Sequence, residues 1–173
     1  MERILIDMDG VIADVVSEVI DWYERLHGVR VPVESLRGKR EVDAFPIPGA
    51  LFEIVHTKGF FLGLPVMTDS QRVVKALAER YEVYICSAAT EFPNSLTEKV
   101  HWLAEHFPFI GWQHIILCGN KHVIQADWMI DDHLKNLKHF GGKKILFTQP
   151  HNALVEGYER ADSWGDVERI LLG

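Results

Sequence analysis

Six polar residues follow short apolar runs, and their types suit phosphate chemistry. Asp7 and Asp9 flank Met8 and lead into Gly10. Ser87 closes the run Val83 to Cys86. Lys121 comes shortly after Ile115 to Cys118, and Asp131 and Asp132 close Trp128 to Ile130. Four carboxylates brought into one half-buried cleft cannot all stay ionised without protons or a cation to compensate. Oxygen donors, with no thiolates and few histidines nearby, favour Mg²⁺ over zinc. Lys121 and Ser87 then serve as a cation and a hydroxyl donor for phosphate oxygens. A carboxylate facing a metal-bound phosphate can act as nucleophile. A second carboxylate two residues on can act as acid and then base.

These residues converge only if their elements deliver them to one edge. The runs are brief, rich in Val, Ile and aromatics, and end in polar or small residues, as buried parallel strands do. Predicted strands are Ile4–Ile6, Val83–Cys86, Ile115–Cys118, Trp128–Ile130 and Lys144–Phe147. Helical spacing lies between them. Val15, Val19, Trp22, Tyr23 and Leu26 follow Asp14. Thr68 with Gln71, and Ser95 with Glu98, read as capping boxes of two more helices. The second carries Leu96, Val100, Leu103 and Phe107 and stops before Pro108. Leu134, Leu137 and Phe140 precede Gly141-Gly142, read as a C-cap, and Asp166 is read as capping a last helix through Leu171. Strand alternating with helix predicts an α/β fold with a parallel sheet, whose ligands bind beyond the carboxyl ends of the strands. Val15 to Leu64 holds no strand pattern. The expected division is therefore a core of 1–14 and 65–173 with a helical insertion at 15–64.

Composition narrows the partners. The chain has 173 residues, with 18 Lys and Arg against 25 Asp and Glu, a net charge of −7. That balance argues against a nucleic-acid polymer or an anionic membrane, and leaves room for a small phosphorylated ligand held by local cations. The longest mostly apolar stretch, Phe60 to Met67, is too short to span a bilayer. Cys86 and Cys118 form no disulfide framework, and no signal-peptide pattern opens the sequence, so the expected compartment is the cytoplasm.

Asp7-Met8-Asp9-Gly10-Val11 resembles the first motif of the haloacid dehalogenase superfamily. Ser87, Lys121 and Asp131-Asp132 match its second, third and fourth motifs in order. The 5′(3′)-deoxyribonucleotidase branch is more similar still, through Asp7 to Asp14, Gly59-Phe60-Phe61 before Leu64-Pro65, Glu98-Lys99 with Trp102-Leu103, and Lys121 to Asp132. The likeness covers most of the chain and is weakest in the insertion.

The resemblance implies a Rossmann-like core with a cap after the first strand. It implies Asp7 as nucleophile forming an aspartyl-phosphate, Asp9 as general acid and base, and Ser87 and Lys121 on the phosphoryl group. Mg²⁺ would be held by Asp7, the Asp9 backbone carbonyl, and Asp131 or Asp132. The expected substrate is a nucleoside or deoxynucleoside monophosphate. Val15, Gly119 and Ala88-Ala89 depart from the aromatic, Arg and Ser-Pro of eukaryotic deoxyribonucleotidases, which leaves the base preference open.

Other residues have two readings. Phe60, Phe61 and Ala88 are the substrate-side candidates, the two phenylalanines either stacking on a base or packing the cap. Asp14 reads as a helix cap or a site residue. Arg37, Lys39 and Arg40 read as a solvated turn. Trp102, Trp112, Trp128 and Trp164 read as packing. Two other functions fit: a phosphatase of the same superfamily for a sugar phosphate, and a non-catalytic nucleotide- or metal-binding module. A homodimer is entertained as the assembly.

Overall fold

The computed structural model describes residues 1–173. Six parallel strands form one sheet: β1 (Arg3–Ile6), β2 (Glu82–Ser87), β3 (Ile115–Leu117), β4 (Trp128–Asp131), β5 (Lys143–Phe147) and β6 (Glu159–Ala161), in the order β3-β2-β1-β4-β5-β6. Ile4 pairs with Val83 on one side and Trp128 on the other. β1 is apolar on both faces because both faces are covered. Ile4 and Ile6 join the larger core, while Leu5 points the other way into a cluster with Cys86, Met129, Leu137, Phe140 and Leu146. The chain leaves β1 in one direction for β2 and β3, then returns past it to β4. That reversal opens a crevice at the carboxyl ends of β1 and β4, where α/β sheets bind ligands.

Six α-helices accompany the sheet: α1 (Val15–His27), α2 (Ala50–His56), α3 (Ser70–Leu77), α4 (Ser95–His106), α5 (Leu134–Leu137) and α6 (Trp164–Leu171). Between β1 and α3 the chain forms α1, α2 and single 3-10 turns, with no strand, as the sequence predicts. Val19, Tyr23, Ile54 and Phe60 from this segment belong to the same continuous core as Ile4, Ile6 and Val73. Asp14 caps α1, accepting the Ser17 N–H at 3.1 Å and the Ser17 hydroxyl at 2.7 Å. No helix is long and apolar enough to cross a membrane.

Several local expectations need correction. The sequence pattern predicts no strand at β6, because its one buried side chain is Ala161 and it has no apolar run to signal it. No capping box opens α3: Asp69 occupies the cap with φ 63° and no side-chain bond, and Gln71 donates instead to the His106 carbonyl at 2.6 Å. Nor does one open α4, where the Ser95 hydroxyl donates to the Ala89 carbonyl at 3.0 Å. Ser163, not Asp166, caps α6, accepting the Asp166 N–H while Asp166 accepts the Ser163 hydroxyl. α5 ends at Leu137, before Gly141-Gly142. Gly142 instead lets its backbone lie against the Ala126 and Asp127 carbonyls, which a Cβ would meet at 2.6 and 2.5 Å. Trp102 and Trp164 are buried and Trp128 half-buried, but Trp112 is 78% exposed and does not pack.

Candidate active site

Asp7 stands where β1 ends, its N–H bonded to the Ile130 carbonyl of β4 at 2.9 Å. The chain then turns sharply: the N–H groups of Val11, Ile12 and Ala13 all point to the Met8 carbonyl. Gly10 makes this turn possible. Its φ is +74°, and a Cβ there would lie 2.5 Å from Asp132 Oδ2. Gln149 donates to the Gly10 carbonyl, and Asn152 donates to the Asp132 carbonyl at 2.8 Å. The turn after β5 thus fixes both acidic loops.

Lys121 is buried in the centre. Its Nζ lies 2.8 Å from Asp7 Oδ1 and 2.6 Å from Asp131 Oδ2. Oδ1 of Asp7 also accepts the Met8 N–H at 2.7 Å, and no protein group holds Oδ2. The two acids after β4 have different surroundings. Asp131 is fully engaged, with Lys121 and Asn136 on Oδ2 and Asn136 and the His133 N–H on Oδ1. Asp132 is just as buried, yet its Oδ1 has no partner. A buried orphan oxygen is costly unless something absent from the protein satisfies it. Oxygens of Asp7, Asp131 and Asp132 all lie within 4.8 Å of one another. Of the Asp131-Asp132 pair, only Asp132 has an oxygen free for a cation.

Titration follows from burial and charge. Burial, then the Asp7 and Asp131 charges, push the Asp132 carboxyl well above the usual range. Burial and Asp131 raise Asp7 too, against the pull of Lys121. Burial would lower the Lys121 ammonium, but Asp7 and Asp131 outweigh it and hold it up.

The second cation is Lys99, which the sequence noted only within a resembling stretch. It is 1% exposed, its ammonium pairs with the Asp9 carboxylate, and it donates to Ser87 Oγ at 2.9 Å. The ammonium also lies 4.6 Å from the Phe61 ring centre. The available signal was position: Leu96, Lys99 and Leu103 fall at i, i+3 and i+7 of α4, so the lysine sits on an apolar stripe. Asp7, Asp9, Asp131 and Asp132 therefore face Lys99 and Lys121, and with all four ionised they would carry two negative charges more than the lysines supply. A divalent cation held by hard oxygens fits both that deficit and the orphan Asp132 oxygen.

These groups open into a cleft of ≈ 190 Å³ lined by Asp7, Asp9, Phe61 and Ala88. Phe60 is not on its wall. It is fully buried, edge-on to Phe61 and Trp22, which corrects its placement among substrate-side residues. Glu41, Val42, Leu51 and Val55 of the strand-free segment also line the cleft, with Glu91, Phe92, His133 and Lys135 from the core. None of these stood out in the sequence. His133 and His151 stack 17° from parallel with ring centres 4.6 Å apart, beside Asp132 and Glu41. Ligand atoms of Asp132, His133 and His151 also lie within 4.8 Å of one another. Arg40 pairs with exposed Asp43 and stays outside the cleft.

Known proteins share this architecture. A haloacid dehalogenase-like hydrolase from Deinococcus radiodurans R1, solved with phosphate and sodium bound, superposes with a TM-score of 0.66 at 16% identity, over 99% of this chain and 95% of its own. Protein SP0104 from Streptococcus pneumoniae, of the same class, gives 0.63 at 12% identity over 98% of both chains. The fold is that of the haloacid dehalogenase-like hydrolases. Sequence carries the assignment further. A Staphylococcus aureus (strain Mu50) protein is 41% identical over 172 residues, 99% of this chain and 96% of its own length. The 5′(3′)-deoxyribonucleotidase of Bacillus subtilis (strain 168) is 40% identical over 171 residues, 98% of each chain. The chain belongs to the family described as 5′ nucleotidase, deoxy (Pyrimidine), cytosolic type C protein, whose model matches residues 1–173. It is accordingly an enzyme, a phosphoric monoester hydrolase of the 5′-nucleotidase type.

Proposed function

We propose that the protein is a Mg²⁺-dependent phosphomonoesterase that dephosphorylates nucleoside and deoxynucleoside monophosphates through an aspartyl-phosphate on Asp7. The observation that carries this reading is the split of the Asp7 carboxylate: Lys121 and the Met8 N–H hold Oδ1 and leave Oδ2 to attack phosphorus. Mg²⁺ would be held by Asp7, Asp132 and the Asp9 backbone carbonyl, with Asp131 steadying Lys121. When bound, it neutralises phosphate charge and so supports an attack by an anion on an anion.

This chain's own residues do the rest. Asp7 Oδ2 forms a bond to phosphorus as the ester P–O bond breaks. Asp9, having taken up a proton from solvent before this step, gives it to the departing nucleoside oxygen. Asp9 then takes a proton from water, whose oxygen attacks phosphorus and breaks the Asp7–phosphorus ester, releasing inorganic phosphate. Lys121, Lys99 and Ser87 stand ready for the phosphoryl oxygens. Residues 1–14 and 65–173 act as the catalytic body and 15–64 as a cap. Cap residues along the cleft opposite Asp7 and Asp9 support that division.

The test is a phosphate-release screen with Mg²⁺ across 5′- and 3′-nucleoside and deoxynucleoside monophosphates beside common sugar phosphates. Nucleotides should be preferred, and Asp7→Asn should lose turnover while keeping its fold. A preference for sugar phosphates would overturn the substrate reading, and near-normal turnover by Asp7→Asn would overturn the nucleophile.

A further inference from the structure

α4 carries two stripes one residue apart. Asn94 precedes it, and Glu98 and Trp102 follow at intervals of four, so the three share a face. All three bind backbone of the strand-free segment or its exit. Asn94 donates to the Val55 carbonyl at 3.2 Å, and Trp102 donates to the Leu64 carbonyl at 2.7 Å. Between them, the Glu98 carboxylate accepts the Gly59 N–H at 2.7 Å on one oxygen and the Phe61 N–H at 3.1 Å on the other. The neighbouring stripe, Ser95 and Lys99, faces the catalytic loops.

We infer that Glu98 is a positioning residue for phosphoryl transfer, acting through the Gly59–Phe61 turn to hold the Phe61 ring over the Lys99 ammonium. The inference rests on the phosphatase reading above. Lys99 has three protons and three neighbours: the Asp9 carboxylate, Ser87 Oγ and the Phe61 ring face. The ring is the only one of the three that comes from the strand-free segment, and it also lines the cleft. If the turn moves away, water reaches the Lys99 ammonium, and its pairing with Asp9 and Ser87 loosens in a higher dielectric. A carboxylate suits this task better than an amide does. It can accept both N–H groups at once, whereas a glutamine must turn its NH₂ toward one of them.

Four variants test this: Glu98→Ala, Glu98→Gln, Phe61→Leu, and the double variant Glu98→Ala with Phe61→Leu. Thr97→Ala, exposed on the same helical turn, is the control. Small displacements of catalytic groups cost up to about a hundredfold in rate, so Glu98→Ala should lower kcat by about tenfold or more with KM changed by less than about threefold. Glu98→Gln is nearly isosteric, keeps the fold, and should fall between. On top of Phe61→Leu, Glu98→Ala should remove less than about a further twofold, because both act through one ring. Amide hydrogen exchange at Gly59 and Phe61 should quicken in both Glu98 variants, a readout that needs no substrate. Unchanged kcat in Glu98→Ala, or fully multiplicative effects with Phe61→Leu, would overturn the inference. Wild type that releases no phosphate from any monoester would instead overturn the phosphatase reading on which it rests.

Discussion

The adjacent Asp131 and Asp132 occupy equally dry places with different partners. Asp131 is enclosed by Lys121, Asn136 and the His133 N–H, while Asp132 keeps one oxygen unpartnered. Asp132→Asn should therefore weaken Mg²⁺ binding by more than the roughly 10–100-fold that losing an outer-shell partner costs, with the fold retained. Asp131→Asn should act mainly on stability, lowering it by about 3 kcal/mol, because Lys121 loses one of its two buried counter-charges. Calorimetric Mg²⁺ titrations and urea melts of both variants separate the two effects, and a reversed ranking would undo the assignment. Lys99→Met keeps the apolar stem and removes the ammonium that joins Asp9 to Ser87. It should cost about 100-fold in kcat, the scale of one lost electrostatic stabiliser; an effect confined to KM would reduce Lys99 to a binding group. At this scale Asp7, Asp9, Ser87, Lys121 and the acidic pair were legible, because each ends or follows an apolar run. Lys99 was not, because a lysine inside a helix looks like a solvated residue until the helix is docked.

Among the elements, the turn after β1 does the most with the fewest residues. Gly10 holds φ +74° with Asp132 Oδ2 where a Cβ would sit. Gly10→Ala should cost about 1–2 kcal/mol for the left-handed backbone alone, and should also displace Asp132 and weaken Mg²⁺ binding. Thermal melts and metal titration together check this, and a variant with normal Mg²⁺ affinity would show that the contact is soft. α4 shows how an element can be found while its ends are misread. Its apolar spacing placed it correctly between Ser95 and Pro108. Glu98 matched a capping box by spacing, but its carboxylate serves Gly59 and Phe61, distant in sequence. Capping patterns are local, whereas a carboxylate takes the best N–H groups that the tertiary fold brings near.

For the whole molecule, the concentrated acids should make stability depend on pH and, with the proposed Mg²⁺ site, on metal. Burial and mutual repulsion place Asp132 and Asp7 above the ordinary carboxylate range. Between that range and their folded values, these two carboxyls bind more protons in the native chain than in the unfolded one, so their contribution to metal-free stability should fall as pH rises through that window. Mg²⁺ competes with those protons, so its stabilising effect should grow with pH. At about 100 times Kd it should add about 2.7 kcal/mol. Urea melts of the wild type and Asp132→Asn as pH rises above the ordinary carboxylate range, with Mg²⁺ and with EDTA, read both trends; a metal-free difference between the two that does not change with pH would contradict the burial argument. Sequence by itself determined the α/β alternation, five of the six strands, the strand-free segment after β1 and the residues of the four motifs. Those features reside in near-neighbour patterns, in runs buried on both faces and in what ends them. Tertiary structure alone decided that Asp132 rather than Asp131 offers an oxygen, that Lys99 is the second buried cation of the site, and that Phe60 is core while Phe61 is wall. The physical reason is one of range: hydrophobic periodicity is written along the chain, but the partner of a buried charge is set by which distant segments share its cavity.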